Sequence, residues 1–130
     1  MKIIVVQNEK SLLGVLKAIV IEFNPECINE IIFTSFPLKV LKEVKDQGVI
    51  LVISGQKFDN DINGVELASK VKSINPNALF YIYSSVHESS DDVDGYISKD
   101  GRKGVEVAKI IASNLDVESV KGMLSTISEN

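Results

Sequence analysis

Oxygen-bearing side chains alternate in Asp59-Asn60-Asp61-Ile62-Asn63-Gly64, where their positions and a closing glycine match the first half of an EF-hand calcium loop. Asp59, Asp61 and Asn63 are its candidate ligands. The twelfth position, which needs a bidentate glutamate, is Lys70, so the run reads better as a solvated turn. Asn63 then caps a helix and Glu66, three residues on, completes a capping box. The other reactive residues are isolated. His87 is the single histidine and has no cysteine or histidine at zinc-ligand spacing. Cys27 has no second cysteine to pair with, which excludes a disulfide scaffold. Asp100-Gly101-Arg102-Lys103-Gly104 offers amides and two cations to an anion, but without GxGxxG or Walker spacing it reads as a turn into a helix. No cofactor and no metal are expected.

Chemistry must therefore come from residues that the fold brings together. Apolar, β-branched runs without polar alternation recur at 3–6, 31–34, 49–54 and 79–84, with a weaker run at 95–98. Such runs are the mark of parallel strands covered on both faces. Between them, Leu12, Leu16, Ile19 and Phe23 form one helical stripe that stops before Asn24-Pro25. Leu38, Leu41 and Val44 form a second, entered through Ser35-Phe36-Pro37, and Val65, Ala68 and Val71 a third, closed by Asn75-Pro76. Alternating strands and helices imply a doubly wound α/β parallel sheet of five strands. Its crevice lies beyond the carboxyl ends of the strands, where Gln7, Asn8, Ser54, Ser84 and Lys99 fall.

The 130 residues suit one domain, and a formal charge of −4 without a basic cluster argues against nucleic-acid binding. No apolar stretch is long enough for a membrane span. The short run at 3–6 ends in Gln7-Asn8-Glu9-Lys10 without a cleavage site, so a cytoplasmic protein is expected.

With the strand ends in place, Asn63-Gly64-Val65-Glu66-Leu67, Tyr83-Ser84-Ser85 and Gly95-Tyr96-Ile97-Ser98-Lys99 resemble the receiver domain of two-component response regulators. The resemblance covers about residues 1 to 115. It implies a flavodoxin-like (CheY-like) sheet of order 2-1-3-4-5, and in that family phosphoryl transfer from a histidine kinase to an aspartate at the end of strand three. It also implies a hydroxyl at Ser84, a lysine at Lys99 and a switch aromatic at Tyr96. The acidic pair that would hold Mg²⁺ is replaced by Gln7 and Asn8, leaving Glu9 as the nearest charge, and the acceptor position reads as Ser54. Without an anchoring carboxylate tight Mg²⁺ binding is not expected, and an unassisted serine is a poor acceptor. The chain therefore reads as a degenerate receiver, not an enzyme, acting as a protein interaction module. Two alternatives are a phosphoacceptor displaced to Asp59 or Asp61, and a small-ligand site in the same crevice.

Two departures bear on output. Residues 86–94 are too few and too polar for the family's fourth helix, which leaves a loop or a single turn. Beyond residue 115, Val117, Val120, Leu124 and Ile127 continue a helical stripe over 116–130 as an extension of the same domain. That stripe is either core, covering the sheet where the fourth helix is reduced, or, with Tyr96, a face for a signalling partner or a second copy of the chain.

Overall fold

The computed structural model describes residues 2–59, 62–86, 88–99, 103–113 and 116–128. Asp61, His87, Gly101, Arg102 and the 114–115 junction lie outside the described residues. Five parallel strands, β1 (Lys2–Val6), β2 (Ile31–Thr34), β3 (Val49–Ser54), β4 (Leu79–Ser84) and β5 (Gly95–Ser98), form one sheet of order β2-β1-β3-β4-β5. The helices are α1 (Lys10–Phe23), α2 (Pro37–Glu43), α3 (Gly64–Ile74), α4 (Lys103–Ala112) and α5 (Val117–Ile127), with a 3₁₀ turn at Pro25–Glu30 before β2. The fold expected from the sequence is the one observed. None of the described helices is long and apolar enough to cross a membrane.

Strand alternation decides which helix each residue meets. Ile3, Val5, Leu51, Ile53, Tyr81 and Ile97 point to the layer that contains Leu16, Val20, Val107 and Ile111 of α1 and α4. Ile4, Val6, Val52, Phe80 and Ile82 point the other way, to Val40, Leu67 and Val71 of α2 and α3. Because both faces are covered, the strands carry no polar alternation. Asn75, fully buried at the end of α3, ties the second layer together: its Nδ2 donates to the carbonyls of Val44 at 3.3 Å and Val49 at 3.2 Å.

No helix connects β4 to β5 among the described residues. The expectation that this would uncover the strands is corrected by Phe80 and Ile82, both fully buried. Val93 folds into the layer, and the Tyr96 ring packs beside it with its hydroxyl donating to the Glu88 carbonyl. Asp94 pins the loop. Its Oδ2 accepts from Phe80 N at 2.7 Å and pairs with Lys72 Nζ of α3 at 2.8 Å, while Asp94 N donates to the Phe80 carbonyl at 2.8 Å. One carboxylate thus performs part of the tethering that a helix would supply.

α5 settles where the extension goes, and it is not where the missing helix would be. It packs on the α1–α4 face, with Val120 and Leu124 buried in the core and Val117, Met123 and Ile127 partly buried against it. Asp116 caps the helix by accepting from Ser119 N at 2.8 Å, a bond that also lowers the Asp116 pKa. The reading of Val120 and Leu124 as a partner face is therefore corrected: a stripe at helical spacing serves core and surface alike, and here it is core. Burying Leu124 stabilises by about 1.5–3 kcal/mol. Leu124→Ala is expected to lower stability by about 2–5 kcal/mol through the lost contact and the void beside α4. Urea unfolding followed by circular dichroism measures it, and a loss below about 1 kcal/mol would show that α5 is dispensable.

Candidate functional site

The strand ends meet because the ladders run one residue past β1, β3 and β5. Gln7 N donates to the Thr34 carbonyl at 3.1 Å, Gly55 N to that of Val6 at 2.8 Å and Lys99 N to that of Ser84 at 3.3 Å. These bonds fix the backbone before any side chain contributes. The result is a crevice of about 190 Å³ over β1, β3, β4 and β5, which Gln7, Asn8, Glu9, Ser84 and Lys99 all line as the sequence reading expects.

Ser54 does not line it. It is fully buried and its Oγ donates to the Gly55 carbonyl at 2.7 Å. The lining from this side begins at Gly55, the residue just past β3. Strand parity explains the correction: Val5 pairs with Ile53, so Gln7 and Gly55 follow on one face and Ser54 follows Val52 on the other. A side chain at 55 would meet Gln7, since a Cβ there would lie 2.9 Å from Gln7 Oε1.

Gln7 is itself wholly buried. Its Nε2 donates to the Tyr83 carbonyl at 3.3 Å, and its Oε1 has no partner among the described residues. Gln56, missed from the sequence, is 2% exposed and also has an unpartnered Oε1. It is buried because the β3–α3 loop closes on it. Gly64 N donates to the Gln56 carbonyl at 2.8 Å, and a Cβ at Gly64 would stand 2.4 Å from the Gly55 carbonyl oxygen. Only glycine fits there. Each orphaned amide oxygen costs about 1–3 kcal/mol, a tolerable burden for a neutral group where a bare carboxylate would be far more expensive.

Charge stands at the rim. Lys99 Nζ lies 3.9 Å from Glu9 Oε1 and 5.7 Å from the centroid of the Tyr83 ring. With the Glu9 side chain 67% exposed, this long pair contributes little to stability. Ser84 Oγ accepts from Val86 N at 3.1 Å, a local turn at the end of β4.

Asp59 and Asn8 hold one another: Asn8 Nδ2 donates to Asp59 Oδ1 at 3.0 Å, and Asp59 N donates to Asn8 Oδ1 at 3.2 Å. The pair lines a second hollow with Lys10, Ser35 and Phe36, and Asp59 does not line the strand-end crevice, although Asn8 does. Asn63 is occupied as the cap of α3: its Oδ1 accepts from Glu66 N at 2.9 Å, and its N donates to Glu66 Oε1 at 3.3 Å. Among the described residues no three His, Cys, Asp or Glu side chains group as a metal would require. Cys27 is buried, with Sγ donating to the Asn24 carbonyl at 3.0 Å, and burial raises its pKa.

No protein-family model and no curated protein matches the chain. Solved structures do. The signal receiver domain of an HD domain-containing protein from Pseudomonas fluorescens Pf-5 is 14% identical, with a TM-score of 0.65 over 97% of this chain and 92% of that one. A CheY-like response regulator receiver domain protein from Methanospirillum hungatei JF-1 is 18% identical, with a TM-score of 0.62 over 97% and 98%. An uncharacterized protein from Neptuniibacter caesariensis is 20% identical, with a TM-score of 0.63 over 88% and 93%. By sheet order and by these likenesses, the chain has the CheY-like, flavodoxin-like fold that receiver domains share at low sequence identity.

Proposed function

We propose that the chain is a signal-transduction domain of the response-regulator receiver type that has lost its phosphoacceptor and acts, without enzymatic activity, as a protein interaction module. The observation that carries this reading is the pairing of Gln7 with Gly55. Where a receiver would place an acidic residue and the acceptor aspartate, this crevice has a buried neutral amide resting against a glycine. Holding Mg²⁺ and a transferring phosphoryl group requires anionic oxygens at that point. Among the described residues of the lining only Glu9 is acidic, and it lies beside Lys99 at the rim.

Asp59 is a poor substitute acceptor, because its carboxylate is engaged by Asn8 and does not line the crevice that holds Ser84 and Lys99. Attack in line with a donor beside Lys99 would require that clamp to open. Asp61 lies outside the described residues. The partner in this reading is another signalling protein in the cytoplasm, neither nucleic acid nor membrane, and a second copy of the chain is the simplest candidate. Contact surfaces such as Phe36 and Leu38, 59% and 71% exposed at the start of α2, remain open for it.

Incubation with acetyl phosphate and Mg²⁺ is expected to leave the intact mass unchanged. A stable phosphoryl increment abolished by Asp59→Ala would overturn the reading in favour of a displaced acceptor.

The reading also predicts which substitutions would supply the missing carboxylates. Gln7→Asp, Asn8→Asp and Gly55→Asp in one variant remove the obstructing amide and place three carboxylates near Lys99, so Mg²⁺ is expected to bind with a Kd on the order of millimolar. The control that replaces Ser54 in place of Gly55 buries a charge under β3 and is expected to lose stability without gaining the cation. Calorimetric titration with Mg²⁺ compares the two, and equal binding by both would refute the assignment of Gly55 as the vacated position.

A further inference from the structure

α5 presents two faces to the molecule. Val120 and Leu124 enter the core, while the adjoining side carries Glu118, Gly122 and Ser125 at i, i+4 and i+7, with Ser128 beyond. These residues stand opposite Tyr81 of β4 and the Asp94-Gly95 entry to β5. The groove between them has a volume of about 360 Å³, within the range of small-molecule sites and larger than the strand-end crevice.

Two features show that this space is not simple loose packing. Tyr81 is only 2% exposed and lines the groove, yet its hydroxyl has no hydrogen-bond partner among the described residues. That oxygen is not sealed from solvent, so the groove is what it faces. Gly122 lies inside α5, where glycine weakens a helix, although a Cβ there would meet nothing within 4 Å. Packing does not require a glycine at that position.

The polar groups around the groove are mostly acceptors. Ser125 Oγ donates its proton to the Gly122 carbonyl at 2.7 Å and Ser128 Oγ to that of Ser125 at 3.3 Å, so both hydroxyls have only lone pairs left to offer. Glu118 and Asp94 add carboxylates, and Asp94 has engaged Oδ2 with Phe80 N and Lys72. Burial first, and Asp94 second, raise the Tyr81 pKa, so the phenol stays neutral and available as donor or acceptor. Lys121 is the one cation of the lining among the described residues, exposed one turn from Glu118.

We propose that this groove binds a small organic cation carrying a guanidinium or primary ammonium group, received by the Tyr81 hydroxyl oxygen and the Asp94 and Glu118 carboxylates. Lys121 stands where a carboxylate on the same ligand would meet it. The site is independent of the strand-end crevice and of any phosphoryl chemistry there.

The test is titration of the intact chain with L-arginine, followed by calorimetry and by the amide resonances of Gly95 and Gly122, with citrulline as the uncharged analogue. Saturable shifts at both glycines are expected with arginine and not with citrulline. Tyr81→Phe is expected to weaken binding about tenfold. Gly122→Leu, which fills open space on an exposed helix face, is expected to abolish it with little change in melting temperature. It serves as the deciding variant if Tyr81→Phe fails to fold. Equal binding of citrulline, unaltered affinity in the folded variants, or no shifts from arginine, agmatine or putrescine at about 10 mM would overturn the proposal. So would binding of an arginine-containing peptide in preference to free arginine, which would place the cation on a protein.

Discussion

A parallel sheet must be covered on both faces, since each strand's side chains alternate between two apolar layers and neither can face water. The connection from β4 to β5 is arranged around that requirement. α1, α4 and α5 cover one face, while α2 and α3 cover only part of the other. The remainder falls to a connection with no helix among its described residues. Asp94 makes this workable by holding the start of β4 and Lys72 of α3 at one point, while Val93 and the Tyr96 ring fill the layer beneath. The partly exposed Asp94–Lys72 pair contributes little as a surface ion pair. Its value lies in geometry: it orients the carboxylate that satisfies the Phe80 amide at the amino-terminal end of β4.

The strands were legible in the sequence because burial on two faces forbids polar alternation, and the helices because their apolar stripes end at Asn24-Pro25 and Asn75-Pro76. The crevice was legible to within one residue. Gln7, Asn8, Ser84 and Lys99 mark strand ends, whereas Ser54 closes an apolar run without indicating the face on which it lies. Counting by twos from Val5 and Ile53 would have chosen Gly55, but that register belongs to strand pairing and is not written in either strand alone. Gln56 left no signal, because a polar residue in a loop becomes a buried one only through the closure at Gly64. Nor could the C-terminal stripe declare its role. Val120 and Leu124 have the same spacing whether they meet the core or a partner, and contact with α4 and β5 decides the matter.

The crevice combines a backbone fixed by the strand ladders with a mostly neutral polar lining, and the two facts are connected. Carboxylates gathered at strand ends raise one another's pKa and require a cation or lysine to remain ionised together. Gln7 occupies similar volume without that requirement, at the smaller cost of one unpartnered oxygen. Once the amide is in place, glycine at 55 becomes the residue that fits without displacing it, because a Cβ would press on Oε1. Restoring a single carboxylate therefore runs into two obstacles, an uncompensated charge and a steric clash. The neutral arrangement is thus held by packing as well as by charge, and the strand-end backbone keeps its geometry without any carboxylate at Gln7 or Gly55.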